Sequence, residues 1–300
     1  MKELLERTGW AANRAAGDGS MMKTLYKIAK QTFNIRLFDN PMYIYIRKNF
    51  IVSKSTKING YTLYLDELDS LNLSINREYE PFETKLFVEN VHEGDVVVDI
   101  GANIGYYTVL ASKQVGNMGK VYAFEPDPTN FELLKKNVKE NECTNVIMEQ
   151  KAVSDKNGAV KLYVSKSNAG DHRVFNSGDG RKSIDIPAVS LDEYFTNKKI
   201  NVIKMDVQGY ESFVLDGATK TISAQKDLIL FTEVYPRAIE KAGRSPEEYV
   251  SKLKHLGFDL KIINEQEKQL QPFDMSKVMQ RYAGKLENDA NLFARKGDVG

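Results

Sequence analysis

The stretch Val96-Val97-Val98-Asp99-Ile100-Gly101-Ala102-Asn103-Ile104-Gly105 decides how the rest of the chain is read. It begins as an unbroken apolar run, the pattern of a strand buried on both faces of a parallel sheet. An acid stands near the strand's end, two glycines four apart follow, and Tyr106-Tyr107-Thr108-Val109-Leu110-Ala111 continues as a helix. Strand, glycine turn and helix N-terminus make a nucleotide cradle. Glycine lets the backbone approach a ligand, and the N–H groups of the helix's first turn face it.

The charge of the cradle narrows the ligand. A dinucleotide turn reads Gly-x-Gly-x-x-Gly, but here Asn103 stands where the second close glycine belongs. Asp99 would repel a phosphate and attract a cation. S-adenosylmethionine carries an amino group and a sulfonium and has no phosphate, so the sign of the charge favours it over NAD. The next apolar run, Val121-Tyr122-Ala123-Phe124, ends on Glu125, 26 positions beyond Asp99. An acid at the second strand tip can accept both ribose hydroxyls. Either acid alone could be a helix cap; the two at consecutive strand tips around a glycine turn point to binding.

Outward from this unit, strands and helices alternate. Strands are expected at 96–100, 121–124, 146–148, 202–205, 228–231 and 258–263, with helices at 104–114, 130–140, 211–216 and 246–255. That order predicts an α/β fold with a doubly wound, Rossmann-like sheet, mainly parallel, and Asn291–Arg295 as an antiparallel strand at its edge. Residues 151–189 interrupt the alternation as a β-insertion. Upstream, Asn59-Gly60 between alternating residues marks a hairpin, and Pro81 opens a helix running to Val91. The domains expected are a disordered leader (1–20), an N-terminal cap (21–92) and a catalytic domain (93–300).

The 300 residues are 42% hydrophobic, enough for a full core, and the net charge is +1, which speaks against a general nucleic-acid binder. Cys143 is the sole cysteine, so no internal disulfide or cysteine-based zinc site is expected, and the chain reads as cytoplasmic. Residues 21–57 carry eight Lys or Arg against Asp39. This is an excess suited to a solvated face or to peripheral contact with an anionic membrane.

The chain resembles the FkbM-type S-adenosylmethionine-dependent methyltransferases, within the class I methyltransferases. The resemblance rests on Val98–Thr108, Phe124-Glu125-Pro126-Asp127-Pro128, Ala152-Val153-Ser154-Asp155 and Ile203-Lys204-Met205-Asp206-Val207-Gln208-Gly209-Tyr210-Glu211. It implies cofactor contacts by Asp99, Gly101, Asn103 and Gly105, with Ala102 and Pro126 in the same two turns. It also implies Glu125 on the ribose and Ala152-Val153 near the adenine. The activity implied is O-methylation, with sugars and natural products among the family's acceptors. Many members have Glu-Gly where this chain has Gln208-Gly209, so position 208 is left out of the catalytic set.

An alcohol acceptor needs its proton removed by a carboxylate or imidazole within hydrogen-bond reach. Asp206 and Glu233 stand at the ends of the fourth and fifth main strands, and His172 lies in a polar loop between strands. These three are the catalytic candidates, with Lys204 beside Asp206 on one strand face. No compact oxygen-ligand cluster suggests a metal. The expected partner is a small-molecule or glycan acceptor. The competing readings are a nicotinamide-dependent oxidoreductase and a cofactor-binding module without catalysis.

Overall fold

The structure is a computed structural model describing residues 53–166, 168–282 and 289–297. The leader 1–20 and residues 21–52 of the basic segment lie outside the described residues.

Strands β1 (Ser55–Ile58) and β2 (Tyr61–Tyr64) pair as the hairpin read from Asn59-Gly60. Asn59 (φ 49°) and Gly60 (φ 87°) take the left-handed conformation that a two-residue turn between right-twisted strands requires. Helix α1 (Leu73–Asn76) leads to α2 (Pro81–Asn90), which starts on proline, where the missing N–H leaves no bond unmade. A βαβαβ unit follows: β3 (Val96–Ile100), α3 (Tyr106–Val115), β4 (Lys120–Phe124), α4 (Pro128–Glu140) and β5 (Val146–Glu149).

Strands β6 (Ala152–Val153), β7 (Gly158–Val164) and β8 (Lys182–Val189) form a separate sheet in the order β6-β8-β7. Then come α5 (Leu191–Tyr194), β9 (Val202–Met205), α6 (Glu211–Asp216), α7 (Thr219–Ala224) and β10 (Leu228–Val234). The described chain closes through α8 (Pro236–Lys241), α9 (Pro246–His255), β11 (Asp259–Asn264), β12 (Gln269–Pro272), α10 (Met275–Tyr282) and β13 (Ala290–Lys296).

The main sheet runs β12-β11-β13-β10-β9-β3-β4-β5. Strands β10, β9, β3, β4 and β5 are parallel neighbours, whereas β13 is antiparallel to both β10 and β11. This is the doubly wound, mainly parallel sheet with an antiparallel side. Strand β13 inserts between β10 and β11, so β12 is the outermost strand on that side. The chain order reverses beside β3, between β4 and β9, and the crevice at such a switch point is where ligands settle.

Alternation along the central strands covers both faces of the sheet. Val98 and Ile100 of β3, Tyr122 and Phe124 of β4, and Ile203 and Met205 of β9 belong to one apolar core. Val97, Val121, Ala123 and Val202 belong to the other, with Phe87 of α2 and Tyr107 of α3. Asp99 and Lys204, partners in the β3–β9 register, share the parity of Val97 and Val202. Both polar side chains therefore leave on the face covered by α2 and α3, which brings the N-terminal segment to the site.

That segment is tied down by polar contacts. The side chains of Asn137 in α4 and of Asn141, which caps it, bond the main chain of Tyr64 and Thr62, satisfying backbone groups along β2. Glu265 accepts the N–H groups of Phe82 (3.0 Å) and Glu83 (2.8 Å), capping α2 from a distant part of the chain.

Candidate active site

A cleft of about 370 Å³ opens at the carboxyl ends of β3, β4, β9 and β10. Asp99, Gly101, Ala102, Asn103, Glu125, Pro126, Ala152, Val153, His172, Asp206 and Glu233 all line it. Gly105 does not. It adopts φ 89° ahead of α3, and a Cβ there would stand 2.6 Å from Leu134 Cδ1, so its lack of a side chain serves the packing of α3 on α4. Gly101 (φ 82°) is needed because a Cβ would lie 2.0 Å from the main-chain oxygen of Asp206. The first turn and the tip of β9 thus touch, placing the cofactor cradle directly beside the catalytic candidate.

Asp99 is 2% exposed and accepts a 2.5 Å hydrogen bond from Thr108 Oγ1 at the start of α3. Burial pushes its carboxyl up to about 6, against that hydrogen bond and the Lys204 charge. Glu125 accepts the Asn103 N–H at 2.7 Å and the Asp127 N–H at 2.8 Å, one on each oxygen. It therefore joins the two turns, and burial raises it to about 8 despite those donors. Each carboxylate oxygen has more than one acceptor direction, so Glu125 still has capacity for hydroxyl donors. The Asn103 side chain turns back to accept the Ile104 N–H at 2.7 Å, which supports its positive φ of 52°.

Asn130 was not anticipated from sequence. Its Nδ2 donates to Ala169 O at 2.9 Å, while its Oδ1 is buried without a hydrogen-bond partner among the described residues. The residue is 2% exposed and lines the cleft on the Glu125 side. A buried amide oxygen without a donor calls for one from a ligand. An adenosine offers such donors, as ribose hydroxyls and a ring amine. Two acids at the strand tips, an orphan acceptor next to them and apolar Ala152 and Val153 beyond suit a phosphate-free, positively charged nucleoside.

His172 is placed in the cleft but is already engaged. Its Nδ1 accepts the Ser165 N–H at 3.0 Å, so the neutral ring carries its proton on Nε2, 3.6 Å from Asp127 Oδ2. Burial lowers its proton affinity. That bond ties the ring to the main chain at Ser165 and engages the lone pair of its unprotonated nitrogen.

Lys204 pairs with a residue of α2, not chiefly with its strand neighbour. Its Nζ lies 2.9 Å from Glu83 Oε1 and 5.0 Å from the Tyr107 ring centroid. Burial opposes its charge, but Glu83, Asp206 and Glu80 together hold it above the ordinary lysine range. Asp206 is half-buried, and Gln208 Nε2 donates to its Oδ1 at 2.7 Å. The loop beyond is fixed by Glu211 Oε1, which accepts the N–H groups of Val207 and Gly209 at 3.2 Å each. Glu233 is 7% exposed, and burial with Asp289, Asp206 and Glu211 nearby raises its carboxyl well above the usual range. Tyr106 and Tyr107 line the cleft edge-to-face with Tyr79, while Tyr210 stacks on Phe213.

The sequence profile of the Methyltransferase FkbM domain matches residues 99–260. The chain belongs to the FkbM methyltransferase family. It is similar to the hexuronic acid methyltransferase AglP of Haloferax volcanii, 32% identical over 150 residues, covering 49% of this chain and 59% of that protein. The matched part thus falls short of two thirds of that relative's length. It is also similar to the tRNA(Phe) (4-demethylwyosine(37)-C(7)) aminocarboxypropyltransferase of Methanocaldococcus jannaschii, 37% identical over 89 residues, 27% of this chain and 34% of that protein. A solved SAM-dependent O-methyltransferase from Thermotoga maritima superposes with TM-score 0.41 at 15% identity, covering 82% of this chain and 78% of that one.

As an FkbM methyltransferase, the protein uses S-adenosylmethionine as its cofactor, and the nicotinamide alternative falls. No group of three or more His, Cys, Asp or Glu able to hold a metal is found among the described residues. No helix among them is long and apolar enough to cross a membrane.

Proposed function

We propose that this FkbM methyltransferase methylates a hydroxyl group of a glycan, glycolipid or small metabolite, with Asp206 as the general base. The observation that carries this reading is the contact between the two halves of the cleft. Gly101, in the first cofactor turn, abuts the main chain of Asp206, so donor cradle and base share one wall. The similarity to a hexuronic acid methyltransferase supports a sugar-bearing acceptor.

The cofactor supplies an electrophilic methyl on a sulfonium. The chain's own part is to bind, orient and move one proton. Asp99, Ala102 and Asn103 at the first turn, with Glu125 and Pro126 at the second, hold the donor; Ala152 and Val153 wall the base. An in-line displacement gains most of its rate from positioning. The 206–211 loop supplies it, through Gln208 on Asp206 Oδ1 and the two main-chain N–H groups held by Glu211. Asp206 then takes the acceptor's hydroxyl proton. Glu233, buried at the tip of β10, lines the same cleft and contacts the acceptor without serving as the base.

Asp206→Asn keeps the side chain's shape and removes its basicity. With radiolabelled cofactor and glycan fractions, it should bind S-adenosylhomocysteine normally and lose at least about 100-fold in turnover. An unchanged rate removes Asp206 as the base. The basic segment supports a cytoplasmic enzyme resting on an anionic membrane surface, and a variant lacking residues 1–57 should no longer pellet with anionic vesicles at low salt.

A further inference from the structure

The wall of the cleft away from the adenosine side is lined by carboxyl groups. Glu80, Asp206, Glu233 and Asp289 line it, together with Tyr79 and Tyr235. Lys204 is the only Lys or Arg of that wall among the described residues, and its ammonium is taken by Glu83 at 2.9 Å. The other lysine of the cleft, Lys151, lies next to Ala152 and is bound to Glu149 at 2.8 Å. An acceptor carrying a carboxylate or phosphate would meet like charge with no free cation to receive it.

A second observation shows what the wall lacks. Glu233 is 7% exposed, and its Oε2 has no hydrogen-bond partner among the described residues. Burial and the nearby Asp289, Asp206 and Glu211 carboxyls disfavour a lone negative charge on Glu233, which a cation brought beside it would relieve. Opposite, Asn291 Nδ2 donates to Glu80 Oε1 at 2.8 Å, and Asn291 faces Glu233 in the β10–β13 register. A buried acceptor oxygen, the neighbouring acids Glu80 and Asp289 and tyrosine rings form a receptor for a group with several N–H donors and positive charge.

We propose that the acceptor is an amine-bearing hydroxyl compound, an amino sugar or amino polyol, whose ammonium is received by Glu233 and Asp289 with Glu80 beside them. This rests on the O-methyltransferase reading and specifies its substrate class. It departs from the hexuronic acid specificity that the name of one relative suggests. An ammonium seated there offsets the negative charge gathered by the carboxyl groups around it.

The test uses the full chain saturated with S-adenosylhomocysteine and three trisaccharide probes alike in length: fully deacetylated chitotriose, cellotriose and trigalacturonate. Calorimetry at about pH 5.5 keeps the glucosamine amines charged and the uronate carboxylates ionised. Chitotriose should bind at least about ten-fold tighter than cellotriose, and trigalacturonate should give no heat. Glu233→Gln should remove the preference while leaving S-adenosylhomocysteine affinity unchanged. Asp289→Asn, at an exposed position, tests the same pair if the buried variant fails to fold. Equal binding of the first two probes, tighter binding of trigalacturonate, or no binding of any overturns the proposal. Failure of S-adenosylhomocysteine itself to bind would instead strike the reading beneath it.

Discussion

Replacing Lys204 by Met removes the buried cation that joins α2 to β9. The Lys204 and Glu83 side chains are 5% and 1% exposed, and their 2.9 Å contact is shielded from water. Breaking such a pair from one side leaves the other charge buried without compensation and costs about 3–5 kcal/mol. Set against a typical total of about 5–15 kcal/mol, that is a large share of the fold's stability. The loss of the ammonium over the Tyr107 ring adds to it in the same direction.

Urea unfolding followed by circular dichroism reads the effect. With a slope near 3 kcal/mol per molar, the midpoint should fall by about 1–2 M. Adding Glu83→Gln to Lys204→Met should recover part of the loss, because the carboxylate nearest the missing ammonium is then neutral, while Glu80 and Asp206 still lack that cation. The single variant should also be less impaired at pH 5 than at pH 8, where an unpaired Glu83 can no longer shed its charge by binding a proton. A midpoint within about 0.3 M of the parent's, or a double variant as weak as the single one, refutes the pairing as described.

Two further outcomes follow from the site. Asn130→Ala deletes the orphan acceptor and should weaken S-adenosylhomocysteine binding about ten-fold in calorimetry, at the upper end of one neutral hydrogen bond; an unchanged affinity means its Oδ1 does not face the ligand. Glu125 holds its proton more tightly folded than unfolded, its folded value being about 8 against an ordinary 4.5. Its contribution therefore declines as pH rises between those values, by at most about 1.4 kcal/mol per pH unit. Glu125→Gln should flatten the fall in Tm of the ligand-free protein between pH 6 and 8, and an identical slope in both proteins removes Glu125 as its source.

The turns at the tips of β3 and β4, and their place in one cleft, were readable because their determinants are local. The apolar run of β3, the glycine turn and the acids at two strand tips lie within 30 residues and announce themselves by type and spacing. The wall formed with α2 and β13 was not readable in this way. Glu83 and Lys204 are far apart in sequence and meet only because α2 packs on the face that Lys204 happens to share with Val202. Asn291 reaches Glu80 because β13 inserts between β10 and β11, a placement that βαβ alternation does not foretell.

His172 and Gly105 illustrate a different limit. Residue type singled out both, but their local partners are visible only in the structure: the Ser165 N–H bonds one nitrogen of His172, and Leu134 lies beside Gly105. Asn130 could have been suspected as the third residue after the Asp127 helix cap, on the turn that leaves Glu125. Its orphan oxygen is visible only in three dimensions.

The central claim is that Asp99 and Glu125 hold S-adenosylmethionine at the tips of β3 and β4. The most direct measurement is isothermal titration of S-adenosylhomocysteine into the parent protein, Asp99→Ala and Glu125→Ala, with folding of each checked by circular dichroism. The parent should bind with a stoichiometry near one, and both folded variants should give no measurable heat. Full affinity in the two variants would contradict the account.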